Sequence, residues 1–586
     1  MDGKVGEVRN SQLISTFGPG AIMDLPDFSI LIAGIDEWNL KQCTPINEPR
    51  LTRKLGVKKI YSPPHGDEKL FGARPGTLPA YRFPRYLVCP KCRKLSLAKN
   101  FYKKDQENIS YCLCDRENGL TKVFPARFIV ACSAGHIDDF PWDFYVHKGK
   151  KTDQCKDRLY LNDKGATGSI SDVEVECKGC ETRRSLDEAF NEQGLGKCLG
   201  HRQWLGPGDT QPCNEKPRAL LRGASNLYFP VVVSALSIPP FTNPLHQDVA
   251  DVMDRLSKID SKEKLQVFIE GGVLTEFEGK NIDDVWNAIQ RQRSLGEGAN
   301  QDLYFPEWEA LLNGVAMDAG LDFETEEEDV PHRYADKISN LIMVRRLTEV
   351  RALDGFSRIE AIPDNIDSAD NETAKSSYKA SLSKQEYINW RPGIITKGEG
   401  IFITLKEESL NEWEERFRDK PFPMAEAFKQ YCEDRKVGYP GGPEPRYVLL
   451  HTLSHALMRQ LCMDSGYSAT SLRERIYSRN TESEKMAGIL IYTATADSEG
   501  SLGGLVELGK AERFEEVLWN ALQEARFCSG DPLCSEHKPD DVGDLNGAAC
   551  HACQLSAETS CEKSNHFLDR SFIVPTVSES NNSFFE

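Results

Sequence analysis

Eighteen cysteines are the residues through which this 586-residue chain could do chemistry. Eleven precede residue 214 and five follow residue 527, leaving Cys432 and Cys462 between. The chain starts without the apolar core of a signal peptide, so clustered thiols point to metal binding rather than disulfides. Cys89-Pro-Lys-Cys92 and, after 19 intervening residues, Cys112-Leu-Cys114 supply two close thiolate pairs, the ligand set of a zinc ribbon. A second set begins with Cys177-Lys-Gly-Cys180 and Cys198; either His201 or Cys213 completes it. A third contains Cys550, Cys553 and Cys561, with Cys528 or Cys534 as fourth ligand and His551 as a weaker choice. Four protein ligands per ion describe closed sites, which favours a structural role over a catalytic one.

Other candidates are weaker. Cys132 and His136 could hold a metal with Cys155, but isolated Cys and His side chains are more often packed, and that is the reading taken. His451 and His455 lie i, i+4 on one helix face. The residues between them are Thr, Leu and Ser, so the glutamate base of H-E-x-x-H is missing. That excludes a metalloprotease of this type and leaves two packed histidines. Cys462 reads as a small core residue. No P-loop G-x-x-x-x-G-K-[ST] is present, so the chain is not itself an ATPase of that class, and no G-x-S-x-G elbow is present. Asp187-Glu-Ala-Phe190 reads as a helix start and Phe17-Gly-Pro-Gly-Ala21 as a turn. Glu278-Gly-Lys280 could end an acidic nuclease motif, though no upstream Asp stands in a position that fixes it.

These residues need elements to position them. Residues 1–80 mix short apolar runs with turns, and 81–240 are rich in cysteine and loops, with a buried strand at 227–238. Residues 241–440 are acidic and expected to be mainly helical. Val249, Val252, Met253 and Leu256 share a helical face, as do Ile338, Leu341, Ile342 and, after a shift, Val344 and Leu347. The run from Glu324 to Asp329 reads as a solvated loop, and 365–385 as an exposed linker. In 441–586, an apolar helix at 447–463 precedes a buried strand at 486–495, a Gly-rich loop at 497–504, a long helix to about Arg526 and the last cysteine cluster. The expected fold class is therefore α+β and multidomain. It combines zinc-ribbon-like modules in the N-terminal half, a helical middle region and a C-terminal α/β zinc-binding domain.

Charge divides the chain. Residues 1–240 hold 35 Lys+Arg against 28 Asp+Glu, and 241–586 hold 37 against 62, giving +7 and −25. This argues against non-specific nucleic-acid binding by the whole surface but permits a local basic face. Arg93, Lys94, Arg127, Arg218 and Arg222 are the candidate phosphate contacts. No apolar run approaches the ~20 residues that span a bilayer, and a cytoplasmic location is expected.

Several segments carry a resemblance. His451-Thr-Leu-Ser-His455-Ala-Leu, Ile491-Tyr-Thr-Ala, Gly500-Ser-Leu-Gly-Gly504, Ala549-Cys-His-Ala-Cys553 and Glu558-Thr-Ser-Cys561-Glu resemble the zinc-binding domain at the end of MrfA-type helicases. Ser11-Gln-Leu-Ile-Ser-Thr-Phe-Gly-Pro-Gly-Ala21, Arg82-Phe-Pro-Arg-Tyr, Pro125-Ala-Arg-Phe-Ile-Val, Gly135-His-Ile-Asp-Asp-Phe-Pro-Trp142, Arg222-Gly-Ala-Ser-Asn and Leu568-Asp-Arg570 resemble the DrmB family of the DISARM anti-phage systems. The resemblance covers both ends and the cysteine-rich first half; 245–440 is less distinctive. It implies a non-catalytic zinc-binding accessory subunit. Such a subunit forms a heterodimer with DrmA, a helicase-like ATPase, and assists binding of foreign DNA alongside a methyltransferase. A metal-dependent nuclease, or a scaffold that never touches DNA, is the alternative.

Overall fold

The computed structural model describes residues 8–585 apart from 65–76, 104–108, 116–118, 151, 164, 166–168, 191–193, 239–244, 246–247, 250–251, 257–258, 295–301, 315–322, 362–378, 386, 419, 436–437, 482–483, 494–502 and 540–543. Its centre is a sheet built on two long antiparallel strands, Ile338–Ser357 and Trp390–Leu405. Leu341 pairs with Ile403, Met343 with Ile401 and Val350 with Ile395. Phe229–Leu236 pairs with the far half of the first strand, and Glu324–Glu328 with its near half. Lys485–Thr493 and then Leu472–Asn480 extend the other side. Lys59–Tyr61 adds a short parallel pairing to Trp390–Pro392. One sheet thus takes strands from all four stretches distinguished in the sequence.

Successive strand residues point to opposite faces. Leu341, Met343, Ile401, Ile403, Ile489 and Ile491 bury one face under helices Pro445–Ser465 and Ala511–Ala525. Ile342, Val344, Phe402, Leu490 and Tyr492 bury the other, partly under helix Tyr304–Asn313. This corrects the helical reading of 338–347. A strand buried on both faces reads as an unbroken apolar run, and Leu341-Ile342-Met343-Val344 satisfies a helical template by accident. The helical expectation holds for 253–313, where Met253–Leu256, Lys262–Glu270, Ile282–Ser294 and Tyr304–Asn313 form. Glu324–Glu328 is an edge strand, not a loop; Arg345 pairs with Glu326, and Arg346 lies 3.5 Å from Glu324. Opposite charges across the strand pair offset the repulsion among the acidic side chains, which stay in contact with solvent. Ala380 and Leu382 are buried against Phe356 and Trp204, so this end of the expected linker is core. Residues 365–378 and most of the Gly-rich loop at 497–504 lie outside the described residues.

A buried ionic network fastens the sheet to its neighbours. Glu307 on the helix pairs with Arg475 on the edge strand, and its other oxygen lies 3.5 Å from Arg50 of the helix Pro49–Lys54. All three side chains are buried. Removing one partner from such a set strands the others without water. Glu307→Ala is expected to cost roughly 3–5 kcal/mol, read as a lowered urea midpoint of the full chain. Arg475→Ala in the Glu307→Ala background should add much less than it costs alone.

In the N-terminal half a six-stranded antiparallel sheet includes Tyr86–Val88, Lys94–Leu97, Leu159–Asp163, Val173–Cys177 and Arg183–Ser185. Beside it Phe128–Ala131 pairs with both Ile137–Asp139 and Arg218–Leu221. These short strands end in the turns that carry cysteine.

Candidate metal centres

Cys89 leaves the strand Tyr86–Val88, and a knuckle returns the chain at Lys94. Arg93 takes the left-handed φ of +65° that closes it. Cys89 Sγ lies 3.7 Å from Cys114 Sγ, and Cys92 Sγ 3.6 Å from Cys112 Sγ. These separations are far beyond an S–S bond of about 2.05 Å. They match the ~3.8 Å edge of a tetrahedron with Zn–S bonds of about 2.3 Å. All four residues of the expected ribbon set are therefore together.

The second set is not one site. Cys177 and Cys180 gather with Cys155 and His147, while Cys198 and Cys213 gather with Cys132 and His136. The first of these groups is nested in sequence within the second. Strand register decides it. Leu159 pairs with Cys177 and Lys178 N–H donates to Arg158 C=O, so the segment just before Leu159 lies beside the Cys177–Cys180 turn. Likewise Ala131 pairs with Arg218, which brings Cys213 alongside Cys132. Ile137 N–H donates to His201 C=O, which brings up Cys198. His201 itself is turned away and pairs with Asp138. The expectation that Cys177, Cys180 and Cys198 share an ion is thus corrected, while Cys132, His136 and Cys155, read as packed, are buried and stand in two groups that could each hold a metal.

Each histidine turns one ring nitrogen towards its cysteines. His147 Nδ1–H donates to Asp143 C=O at 2.7 Å, and its buried Nε2 has no hydrogen-bond partner among the described residues. His136 Nδ1 lies 3.3 Å from Cys132 Sγ and 3.6 Å from Cys198 Sγ, and its Nε2 meets the Gln211 carboxamide at 2.8 Å. Second-sphere partners of this kind fix which imidazole nitrogen ligates. Cys132 Sγ lies 3.6 Å from Cys198 Sγ and 3.9 Å from Cys213 Sγ. Hydrogen bonding from Cys132 and His136 pulls the Cys198 thiol down to about 4, and the Thr182 hydroxyl and N–H pull Cys180 to about 7. Gly200, at φ +69°, donates its N–H to Cys198 Sγ, and any side chain there would overlap the Gln211 carbonyl.

In the C-terminal cluster Cys528 and Cys534 both belong, and Cys561 does not. Cys528 Sγ lies 3.4 Å from Cys550 Sγ, and Cys553 Sγ is 3.6 Å from Cys534 Sγ and 3.8 Å from Cys550 Sγ. His551 is exposed. Arg570, fully buried, holds the approach by donating to the Ala525 and Arg526 carbonyls and pairing with Asp531.

Cys561 lies instead with His451, His455 and Glu474. Both histidines are buried, as the sequence predicts, but they share one carboxylate. Glu474 Oε1 is 3.1 Å from His451 Nε2 and 3.4 Å from His455 Nε2. Burial pushes the Glu474 carboxyl up, yet the two imidazoles outweigh it and hold it well below the usual range. The i, i+4 spacing of the histidines was the sequence signal for this group. Their carboxylate and thiol partners, 19 and 106 residues beyond His455, carried none.

The candidate phosphate contacts divide. Arg93 Nε donates to Leu161 C=O, Lys94 pairs with Asp157 at 2.9 Å, and Arg222 pairs with Asp24 at 2.9 Å. Arg127 and Arg218 are exposed, at the two ends of one strand pair. Glu278 is exposed in a turn, and Lys280 is paired with Asp248.

No helix among the described residues is long and apolar enough to cross a membrane. Residues 9–229 match a domain of unknown function, DUF8724, and 453–554 match the MrfA Zn-binding domain. The first span holds three of the cysteine groups, and the second holds Cys528, Cys534, Cys550 and Cys553. A crystal structure of the DUF1998 helicase MrfA bound to DNA is similar over 36% of this chain and 22% of that one. Its identity is 12% and its TM-score 0.19, a likeness too slight to carry an argument. The DISARM protein DrmB of Bacillus paralicheniformis is 33% identical over 591 residues, covering 96% of this chain and all of that protein. With that identity sustained over nearly the whole chain rather than one module, the chain belongs to the DrmB family.

Proposed function

We propose that this protein is a non-catalytic, zinc-stabilised accessory subunit of a bacterial DISARM defence complex. In this reading it pairs with the helicase-like ATPase DrmA in the cytoplasm and helps the complex grip DNA. The observation that carries it is full-length similarity to a DISARM DrmB protein, joined to cysteine groups that each supply four ligands. A site closed by four protein ligands leaves no position for a reacting water, so zinc there holds loops rather than doing chemistry. The donor sets fit zinc: soft thiolates, with imidazole in two of the groups.

Arg127 and Arg218 are the two most exposed of the candidate DNA contacts. The double variant Arg127→Glu, Arg218→Glu is expected to weaken DNA binding by the co-purified complex. It should also flatten the log K against log salt slope by about 0.9 per lost phosphate contact. Unchanged affinity and slope, with the helicase still bound, would favour the pure scaffold. Failure to co-purify with the helicase-like ATPase would overturn the reading.

A further inference from the structure

We infer that His451, His455, Glu474 and Cys561 form a metal site of their own, a closed zinc centre of two imidazoles, one carboxylate and one thiolate in the core of the C-terminal half. The four donors come from three elements: the helix Pro445–Ser465, the strand Leu472–Asn480 and the loop after the four-cysteine group. His451 Nε2 lies 3.2 Å from Cys561 Sγ and 3.1 Å from Glu474 Oε1. All four donor atoms fall within 4.8 Å of one another.

Hydrogen-bond accounting calls for a cation among them. His455 Nδ1–H donates to Gln554 C=O at 2.8 Å, so Nε2 carries the lone pair. That nitrogen is buried and has no hydrogen-bond partner among the described residues; it faces Glu474 Oε1 at 3.4 Å, lone pair against lone pair. Glu474 already accepts from the Glu562 N–H at 3.1 Å and from the Ser454 hydroxyl. Cys561 Sγ accepts two backbone N–H groups, from Lys563 at 3.3 Å and Asn565 at 3.1 Å, an arrangement suited to a thiolate. A carboxylate, a cysteine sulfur and two imidazole nitrogens converge where both histidines and Glu474 are 0–2% exposed. Buried charge of one sign must be compensated. A divalent ion does so with four donors at about 2.0–2.3 Å, the tetrahedral geometry and N/O/S set that zinc favours. The competing arrangement is a protonated imidazolium between the same groups.

The site would tie the central helix to the sheet edge independently of the four-cysteine group. Zinc-edge anomalous diffraction from crystals of the full chain, purified without chelator, tests it directly. A peak within bonding distance of both Nε2 atoms, Glu474 and Cys561, beside peaks at the cysteine groups, is expected. Peaks at the cysteine groups alone would overturn this site and leave them standing; no peak anywhere would overturn both. In solution, zinc per folded chain should fall from about five to about four in His455→Gln and again in His455→Gln, Cys553→Ser. A folded His455→Gln chain with unchanged zinc would also overturn the site.

Discussion

A Cys553→Ser chain is expected to lose one zinc ion and the ordered structure of the cysteine turns between about 528 and 553 together. Cys553 is buried, and its sulfur touches both Cys534 and Cys550. A serine hydroxyl is a poor replacement for thiolate, so the site opens. Zinc binding to closed sites in small peptides is worth about 10–16 kcal/mol, comparable to the ~5–15 kcal/mol net stability of a whole domain. Between Cys528 and Cys553 the described residues form one four-residue helix, Leu533–Glu536, among turns, whereas Phe567, Phe572, Ile573 and Val574 are held separately in the main core. The helix Pro445–Ser465 should survive, because its core against the sheet does not involve the cysteines. Limited proteolysis checks this, with new cleavage confined to the region after Arg526. Resistance equal to the parent, despite the loss of a zinc ion, would show that the four-cysteine site is dispensable for order.

The second large effect concerns the nested groups. Cys155→Ser is expected to remove one zinc ion, although Cys155 stands alone in sequence. Cys177→Ser, Cys198→Ser should remove two, because the two residues serve different ions. If Cys177, Cys180 and Cys198 shared one ion, the double variant would lose one and Cys155→Ser none. Loss in either nested group should also loosen the strand pairs that deliver its ligands. Elemental analysis of folded, monodisperse protein discriminates between these outcomes.

Spacing made the ribbon at Cys89, Cys92, Cys112 and Cys114 legible because both pairs sit on turns that strands of one small region bring together. It also exposed Cys550 and Cys553. It misassigned Cys198, Cys213 and Cys561, whose true partners lie 62 to 110 residues away in the chain, at His136, Cys132 and His451. Periodicity found the helix at 447–463 but took the strand at 338–347 for a helix, since burial on both faces erases the alternation that distinguishes a strand. The apparent linker at 380–382 failed as a reading because Ala380 and Leu382, though flanked by polar residues, are buried in a core cluster with Phe356 and Trp204.

By itself the sequence determined the ligand types, the approximate number of thiolate turns, the absence of a nucleotide-binding loop and the division of charge. These are properties of composition and of neighbours a few residues apart. Which cysteine meets which was decided only by the tertiary structure. Antiparallel pairing places Cys155 beside Cys177 and Cys213 beside Cys132, and a one-residue change of register would turn those side chains to opposite faces. The same holds for His451 and Glu474, which meet because a buried helix lies across a particular strand. Local spacing can specify a turn, but convergence of four donors requires the packing that fixes the distances between turns.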